Sequence, residues 1–303
     1  MSSSFPTRHL AGHGAWQVVR IFFGVLRSSL VVAWFASVYG SIACILAGIL
    51  GKPTVMIVGG VDLAKDRDLH YGIWLSPWRS RIVGTALRRA TRVLAVDRTL
   101  MAEVKVRADY DGANVDCLPT GYDARVWKPA GKKQDTILTV AVAHDIRRAK
   151  LKGIDTLVAA ARGLPSTRFD VVGVNPLLAR PLLAPENVFF HPPVPREELL
   201  PWYREAKIYC QPSRREGLPN SLCEAMLCGC YPVVTNVGGN VNAVGETGIV
   251  VPLRDAGSLV RALRRAMKMN ARAGNAARKR IARLFPKAKR VKGLIGLVKE
   301  LTA

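Results

Sequence analysis

Two glutamates eight residues apart, Glu216 and Glu224, are the side chains best placed to do chemistry in this sequence. Apolar segments flank them, residues 207–211 (KIYCQ) before and residues 230–235 (CYPVVT) after. Apolar residues at helical spacing over 222–227 predict a short helix between these segments. The order of strand, loop, helix and strand indicates a βαβ unit in a parallel sheet. Glu216 then lies on the loop beyond a strand's carboxyl end, where open α/β sheets bind their ligands.

The loop before the helix has the composition of an anion site. Gly217 lets the backbone approach a ligand closely, because its φ is unrestricted. Pro219 has no N–H, so the donors must be Gly217, Leu218, Asn220 and Ser221. The first N–H groups of a helix and the positive end of its dipole suit a diphosphate. A carboxylate accepts two hydrogen bonds from the vicinal hydroxyls of a ribose or a hexose, so the segment predicts a site for these groups together.

Plainer interpretations of the two glutamates remain open. Ser221-x-x-Glu224 has the spacing of a capping box, which would bind the Glu224 carboxylate to the helix backbone. Glu216 by itself could equally be a solvated carboxylate on a loop. Spacing alone does not choose between these structural roles and ligand binding.

The whole string over residues 216–234, EGLPNSLCEAMLCGCYPVV, resembles the E-x7-E signature of the retaining glycosyltransferases of family 4. The resemblance implies a GT-B fold, in which two Rossmann-like parallel-sheet α/β domains hold a nucleotide-sugar cleft between them. It implies that Glu216 holds the donor sugar near the reacting carbon and that Glu224 binds the nucleotide ribose. It implies no protein-held metal and no cofactor, because the nucleotide-diphosphate sugar is the donor substrate.

A basic segment around Lys152-Gly153 resembles the family's G-R-L-x-x-x-K-G string, whose arginine and lysine neutralise the donor diphosphate. Lys152 matches the lysine, and Arg147 takes the arginine's place five residues earlier without the usual glycine before it. Arg148 and Lys150 are rivals for that role. The resemblance therefore makes Lys152 and Arg147 catalytic candidates and Arg148 a donor-binding candidate. The alternative is a basic loop with no ligand.

A third segment, residues 51–62, resembles the family's "GKP-strand-HGxD" pattern. Gly60 and Asp62 match it and become donor-binding candidates by resemblance. Gly59 stands where the family has a histidine that often touches the donor sugar. No histidine role is carried over to this position.

The resemblance covers roughly residues 30 to 270 and implies a division of the chain. We expect a shortened N-terminal, acceptor-side Rossmann-like domain at 1–128 and a C-terminal nucleotide-sugar-binding domain at 129–285. A basic helix at 286–303 is expected to cross back to the N-terminal domain. The family's first strand, with its glycine-rich loop and two or three further elements, is missing or reduced to residues 1–27. Those elements help to build the acceptor side, so this departure concerns acceptor binding.

Composition fits a folded α/β protein. The chain has 303 residues, of which 49% are hydrophobic, enough for a sizeable core. Residues 28–50 carry no charge and are long enough to span a membrane. Gly40 and Ser41 interrupt this stretch, and we interpret it as a buried strand and a helix. The six cysteines lack zinc-like spacing, which favours packing roles and a reducing compartment.

The net charge of +23 requires its own explanation. Residues 261–292 contain thirteen Lys or Arg and no Asp or Glu. Such a surface attracts anionic lipid, nucleic acid or an acidic substrate. Together with the apolar residues of 16–26, it predicts a cytoplasmic protein held peripherally on an anionic membrane face. The alternative is a solvated basic surface. The membrane hypothesis assigns lipid contact to Arg278, Lys279, Arg280 and Arg283.

Three functions follow, of which a retaining glycosyltransferase is the leading one. It would move a sugar from a nucleotide-sugar donor to a glycan or lipid-linked acceptor. The second is an accessory or degenerate GT-B subunit that binds nucleotide sugar and needs a protein partner to complete the acceptor side. The third, a nucleic-acid binder, rests on charge alone. Because no known recognition motif is present, no specific nucleic-acid partner is expected.

Overall fold

The computed structural model describes residues 5–12 and 14–303, and these form two compact units. The first unit comprises Met1–Gly121 with Lys287–Ala303, and the second comprises Tyr122–Pro286. The sequence placed the first boundary after residue 128 and the second after residue 285.

The first unit contains a parallel sheet of four strands in the order β1-β2-β3-β4. Strand β2 is buried along its whole length, as expected when both faces of a parallel sheet are covered. The elements up to residue 121 are α1 (Ala15–Leu26), β1 (Val31–Trp34), α2 (Val38–Ile49), β2 (Thr54–Val58), α3 (Pro77–Arg89), β3 (Arg92–Ala95), α4 (Arg98–Ala108) and β4 (Val115–Cys117).

The uncharged stretch 28–50 forms a strand and a helix, β1 and α2, as predicted, but of the four residues of β1 only Ala33 is fully buried. Ser37 caps α2, since its hydroxyl accepts from the Gly40 N–H at 3.1 Å. Ala47 of α2 packs against the buried Ile21 and Val25 of α1. Among the helices formed by residues 5–12 and 14–303, none combines the length and the apolar character that crossing a bilayer requires.

The second unit contains a six-stranded parallel sheet in the order β10-β9-β8-β5-β6-β7. Strand β7 ends at His191, because Pro192 and Pro193 have no N–H for the ladder. Its elements are β5 (Gln134–Ala143), α5 (Ile146–Leu151), α6 (Ile154–Arg162), β6 (Arg168–Val174), β7 (Val188–His191), α7 (Leu199–Glu205), β8 (Ala206–Gln211), α8 (Asn220–Leu227), β9 (Tyr231–Thr235), α9 (Gly239–Val244), β10 (Ile249–Val251), α10 (Ala256–Met267) and α11 (Ala271–Leu284).

The strand order places a switch point between β5 and β8. From β5 the chain proceeds outward through β6 to β7, and then returns to form β8 on the opposite side of β5. The loops after β5 and β8 therefore leave neighbouring strands and diverge to opposite sides. Open α/β sheets bind ligands at such a point, beyond the carboxyl ends of the strands.

The last helix, α12 (Lys287–Thr302), packs on the first unit. Arg290 is buried there, and its guanidinium donates to the carbonyl oxygen of Leu118. Near the end of the helix, Glu300 pairs with Arg92 at 3.1 Å. These bonds attach a strongly basic helix to the sheet of the first unit.

Two of the four residues assigned to lipid contact have structural roles instead. Arg278 donates to three backbone carbonyls, including that of Trp127 at 2.7 Å. Arg280 donates to two carbonyls of α9, each at 2.8 Å. Guanidinium groups commonly satisfy the free carbonyls of helix ends in this way. Lys279 and Arg283 are exposed, so the basic surface is real but smaller than the sequence suggested.

Candidate active site

The loops that follow β5 and β8 are joined closely at the switch point of the second unit. Gly153 has φ of 70°, and a Cβ atom there would lie 1.9 Å from the carbonyl oxygen of Pro212. The Arg214 N–H donates to the Leu151 carbonyl oxygen at 2.9 Å, which connects the two loops through their backbones. Residue 153 must therefore be glycine for this approach. The close approach of the two loops therefore explains the glycine in the Lys152-Gly153 pair that the sequence analysis singled out.

Lys152 and Glu216 form an ion pair across these loops. Lys152 Nζ lies 2.7 Å from Glu216 Oε1, and Gln211 Nε2 donates to the same oxygen at 3.0 Å. Gln211 is itself oriented, because its Oε1 accepts from the Tyr209 hydroxyl at 2.9 Å. The Glu216 carboxylate is therefore held in place, and the interpretation as a freely solvated loop carboxylate is wrong.

A second ion pair, between Arg214 and Asp155, joins the same loops. Asp155 lies in the first turn of α6, and Arg214 lies two residues before Glu216. Within the described part of the chain, Asp155 Oδ1 and Arg214 Nε are buried and have no hydrogen-bond partner. No role was predicted for Arg214 from the sequence, although its position two residues before Glu216 would have made it a candidate site residue.

The backbone of the Glu216 loop is supported from the other side by the turn after β9. Gly238 has φ of 47°, and a Cβ atom there would lie 1.9 Å from the carbonyl oxygen of Glu216. The Gly239 N–H donates to the Gly217 carbonyl oxygen at 2.7 Å. This support fixes the loop at the residues expected to face a ligand.

Glu224 is buried on α8, with only 2% of its side chain exposed. Arg196 Nε donates to Glu224 Oε1 at 2.8 Å, and a second guanidinium nitrogen donates to the same oxygen. The Tyr203 hydroxyl lies 3.4 Å from the other oxygen, Oε2. Burial raises the pKa of Glu224, and the charge and hydrogen bond of Arg196 oppose this shift. Oε1 of Glu224 thus accepts two hydrogen bonds from Arg196, whereas Oε2 has one long contact, with the Tyr203 hydroxyl.

The capping-box interpretation of Ser221 and Glu224 is wrong. Helix α8 begins at Asn220 after the cap residue Pro219, and no side chain caps it. The Ser221 hydroxyl instead donates to Gln211 Oε1 at 3.4 Å. Glu224 therefore keeps its carboxylate for contacts outside its own helix.

The four backbone donors predicted for an anion all lie at the start of α8. Gly217 and Leu218 are buried in the preceding loop, and Asn220 and Ser221 form the first turn. The N–H groups of a first helical turn have no acceptor within the helix and carry its positive dipole end. Asn220 is oriented by the Tyr122 hydroxyl, which donates to its Oδ1 at 2.9 Å.

Arg147 and Arg148 lie on α5, the short helix that precedes Lys152. The sequence predicted a basic diphosphate-binding segment here, with a basic loop that binds no ligand as the alternative, and this helix was not predicted. The helix forms because the Asp145 side chain caps it, accepting from the Arg148 N–H at 2.7 Å. Arg147 is exposed and Arg148 is half-buried. Their assignment to a diphosphate stays a prediction.

Gly60 and Asp62, the remaining candidates, belong to the first unit and follow β2. Asp62 is buried, and its Oδ2 accepts from the Gly59 N–H at 2.7 Å. Gly60 has φ of 107°, a conformation that favours glycine. This carboxylate fixes the turn after β2, and its role toward a donor stays a prediction.

Arg196 is the main site residue that sequence reasoning missed. It belongs to the polar segment PREEL before α7, which resembled an ordinary exposed helix start. A guanidinium reaching Glu224 from 28 residues earlier leaves no pattern in local spacing. Among residues 5–12 and 14–303, no three His, Cys, Asp or Glu side chains are grouped so as to hold a metal ion.

Comparison with known proteins finds a family match within the second unit. Residues 135–269 match the family described as "Glycosyl transferases group 1". A D-inositol 3-phosphate glycosyltransferase of Arthrobacter sp. is 30% identical over 54% of this chain and 44% of its own length. That of Acidothermus cellulolyticus is 30% identical over 70% of this chain and 55% of its own length. The chain thus spans about half the length of the curated relatives it matches.

Solved structures extend the likeness to nearly the whole chain. Sucrose-phosphate synthase from Thermosynechococcus elongatus has a TM-score of 0.77 at 19% identity, covering 94% of this chain and 78% of that protein. The Anabaena protein HepE in complex with UDP-glucose has a TM-score of 0.78 at 15% identity, covering 94% of this chain and 82% of that protein. At these identities the likeness concerns the fold. Residues 135–269 therefore resemble a group 1 glycosyltransferase domain, and the chain that carries them has the GT-B fold predicted from its sequence.

Proposed function

We propose that this protein is a retaining glycosyltransferase that moves a sugar from a nucleotide-sugar donor to a glycan or lipid-linked acceptor. The observation that carries the proposal is the Lys152–Glu216 ion pair at the sheet's switch point, beside the first turn of α8. That arrangement puts a cation, a fixed carboxylate and a helix N-terminus at one ligand-binding edge. A nucleoside-diphosphate sugar needs these three kinds of group together.

In the proposed reaction, the bond between the anomeric carbon and the diphosphate oxygen breaks, and an acceptor hydroxyl oxygen bonds to that carbon on the same face. Negative charge develops on the departing diphosphate, which takes up the proton of the acceptor hydroxyl. Lys152 has three N–H donors and can contact a phosphate oxygen while it remains bound to Glu216. Arg147 or Arg148 and the first N–H groups of α8 would share the developing charge. Preorganised donors of this kind stabilise a transition state without rearranging during the reaction.

The two glutamates would hold different parts of the donor. Glu216, fixed by Lys152 and Gln211, would orient the sugar near its reacting carbon. Glu224 would accept from the ribose hydroxyls through Oε2, because Arg196 already engages Oε1. We propose that the product keeps the anomeric configuration of the donor and that no protein-held metal takes part.

A donor panel tests this proposal. Wild-type protein should transfer or slowly hydrolyse sugar from at least one nucleotide sugar, with UDP-glucose tried first because HepE was solved with it. D-inositol 3-phosphate, named in several relatives, is a first acceptor to try. NMR of the anomeric proton should show retention, and EDTA should leave the rate unchanged. Inactivity with every donor, alone or with added membranes, would contradict the proposal.

An accessory role is the second candidate, and one observation favours it. The space beside Gly59, where the family pattern has a histidine, is filled by the ring of Phe35. A chain without that imidazole would bind a nucleotide sugar and need a partner protein for turnover. Binding of UDP-glucose by calorimetry without turnover, followed by turnover on addition of a native extract, would favour this role.

Membrane attachment is a further part of the proposal, and the two faces of α1 support it. One face packs on α2 through Ile21 and Val25. The other exposes large apolar side chains, including Trp16 with 73% of its surface accessible. An amphipathic helix with exposed aromatic residues beside basic groups suits the interface of an anionic bilayer. We propose that the protein works at the cytoplasmic face of a membrane.

Flotation with liposomes tests the attachment. Binding should require anionic lipid and weaken with salt. It should fall for the double variant Phe22→Ser/Phe23→Ser, whose side chains are exposed. It should also fall for Lys279→Gln/Arg283→Gln, which spares the structural Arg278 and Arg280. Equal binding to neutral liposomes, or no binding to either kind, would contradict an electrostatic anchor.

A further inference from the structure

Arg214 contacts the loop of Lys152 on both sides of that lysine. The Arg214 N–H donates at 2.9 Å to the carbonyl oxygen of Leu151, the residue before Lys152. The Arg214 guanidinium pairs with Asp155, three residues after Lys152 and in the first turn of α6. Arg214 itself lies two residues before Glu216, the carboxylate that Lys152 contacts. The backbone and the side chain of Arg214 therefore hold the two loops together around the Lys152–Glu216 pair.

The Arg214–Asp155 pair leaves part of its hydrogen-bonding capacity unused. Only 12% of the Arg214 side chain and 28% of the Asp155 side chain are exposed. Within the described part of the chain, Arg214 Nε and Asp155 Oδ1 are buried and lack a hydrogen-bond partner. Leaving such atoms unpaired costs free energy, and so does moving two charges out of water. Ion pairs of this kind commonly add little net stability, so the presence of this pair calls for another explanation.

We propose that Arg214 and Asp155 are positioning residues that hold Lys152 against Glu216. This inference rests on the proposed function and names what sets the geometry of the donor site. Lys152 is the last cap residue of α5 and Gly153 the first cap residue of α6, so Lys152 moves with the start of α6. The ion pair fixes the start of α6 on the loop after β8, which carries Glu216.

Such a contact matters for turnover even where it adds little to stability. Lys152 Nζ meets Glu216 Oε1 at 2.7 Å, and a small movement of α6 would separate them. A displacement of about 1 Å at a group that acts on the reacting atoms can lower a rate about 10²-fold. The pair is therefore expected to affect catalysis more than unfolding.

Substitution of one or both residues separates positioning from stability. Arg214→Met or Asp155→Leu alone leaves a largely buried charge without its partner, so each should unfold at a lower urea concentration than wild type. The double variant replaces the pair by apolar side chains and should unfold at a urea concentration close to that of wild type or above it. Its kcat should nevertheless fall roughly ten- to a hundredfold, with a smaller change in donor KM. A double variant that keeps the wild-type kcat, or that is as unstable as the single variants, would overturn the proposal.

The single variants also separate positioning from direct contact with the donor. If Arg214 bound the diphosphate itself, Asp155→Leu would leave its guanidinium available and kcat would be retained, which would overturn the proposal. The control is an ion pair that joins the same two strands near their amino ends, Lys207 of β8 with Asp135 of β5 at 2.8 Å. Lys207→Gln/Asp135→Asn should leave kcat and donor KM unchanged, because the donor site lies beyond the carboxyl ends.

Chemical labelling of Lys152 tests the positioning without a donor. Only 25% of the Lys152 side chain is exposed, and its ammonium is bound to Glu216, so an N-hydroxysuccinimide ester should acetylate it slowly in wild type. In the full chain carrying Arg214→Met/Asp155→Leu, acetylation of Lys152 should be several-fold faster, whereas the exposed Lys279 should react at an unchanged rate. Mass spectrometry of the digested protein measures both rates.

The labelling and the kinetics together distinguish this inference from the proposed function. Faster labelling of Lys152 in a double variant whose wild-type parent transfers no sugar would support the positioning role and contradict the proposed reaction. Unchanged labelling of Lys152 beside sugar transfer by the wild type would overturn the positioning role alone.

Discussion

Arg196 and Glu224 form an ion pair in which the arginine is 62% exposed and the glutamate 2% exposed. The carboxylate has lost nearly all contact with water, so the guanidinium supplies most of what keeps it charged. Arg196 also lies over the ring of Trp127, 5.4 Å from its centre, which orients the guanidinium. Under the proposed function, Arg196 is a positioning residue that presents Glu224 Oε2 to the ribose.

Arg196→Gln should make donor binding depend on pH. Burial already raises the pKa of Glu224, and loss of Arg196 removes the main opposing effect. More of the Glu224 carboxyl will then be protonated at a given pH than in wild type, so the donor Kd should rise more steeply as pH falls. Calorimetric titrations with UDP-glucose from pH 8.5 to 6 measure the effect. A donor Kd that is equally weak at every pH would indicate a merely structural arginine.

The same substitution should change stability with a defined sign. A carboxyl whose folded pKa is raised favours the folded state when protonated, so that contribution is present at low pH and lost as pH rises through the folded pKa. In Arg196→Gln this loss should be larger and extend to higher pH than in wild type, because the folded pKa of Glu224 is raised further. Removing the partner of the buried Glu224 carboxylate should cost about 1–3 kcal/mol at neutral pH. Urea unfolding at pH 5, 7 and 8.5 measures both, and a cost independent of pH would refute this account.

Lys152 and Glu216 should act as a unit in catalysis. Glu216→Gln keeps the shape of the side chain but removes its charge, and kcat should fall roughly 10²-fold. Lys152→Met should lower kcat/KM by a similar factor, because the diphosphate loses its nearest cation. The double variant should be little worse than either single variant, since each disrupts the same pair. Strictly additive losses in steady-state kinetics would show that the two residues act independently.

Gly153→Ala should be more harmful than a matched substitution at Gly131. The two glycines have φ of 70° and 67°, but a Cβ atom at Gly153 would lie 1.9 Å from a carbonyl oxygen, whereas one at Gly131 meets nothing within 4 Å. Gly131→Ala should cost about 1–2 kcal/mol, the usual penalty of the left-handed region. Gly153→Ala should cost more and also lower kcat, because the loops of Lys152 and Glu216 must separate. If the two substitutions lower the free energy of unfolding in urea equally, the two loops can move apart at little cost.

Arg278→Gln should destabilise the protein, whereas Lys279→Gln should not. Arg278 donates to the carbonyls of Trp127, Ala124 and Leu227, so its loss leaves several acceptors unpaired, at about 1–3 kcal/mol. Lys279 is exposed, and its replacement should stay within about 0.5 kcal/mol of wild type. Thermal unfolding of the two variants provides the comparison. An Arg278→Gln variant as stable as wild type would mean that these hydrogen bonds do not stabilise the fold and that Arg278 can serve the basic surface.

Much of the fold follows from the sequence because apolar runs mark buried parallel strands. The apolar segments 207–211 and 230–235 predicted two strands, and the structure forms β8 and β9 there. The short helix α5 was not predicted, because its six residues, IRRAKL, are too few and too charged to show a helical pattern. It depends on the Asp145 cap.

Some residues of the candidate site could be predicted from the sequence and others could not. Lys152 and Glu216 were found through their resemblance to a family motif, and the structure brings them within 2.7 Å. Arg196 could not be found, because nothing in the sequence reports that α7 packs beside α8. The pairing of Arg214 with Asp155 was equally hidden, because it depends on how the loops after β5 and β8 meet.

The switch point between β5 and β8 also has a consequence for how the protein reaches its native state. β5 can pair with β6, and β6 with β7, as the chain emerges, but the other edge of β5 stays open until β8 arrives more than 60 residues later. Pairing over such a distance is slow to nucleate, because a long loop must close first. Glu216 follows β8, so the proposed donor site should mature only after β8 has paired with β5. In refolding followed by pulsed hydrogen exchange, nucleotide binding should return no earlier than amide protection in β8, and earlier binding would disprove this order.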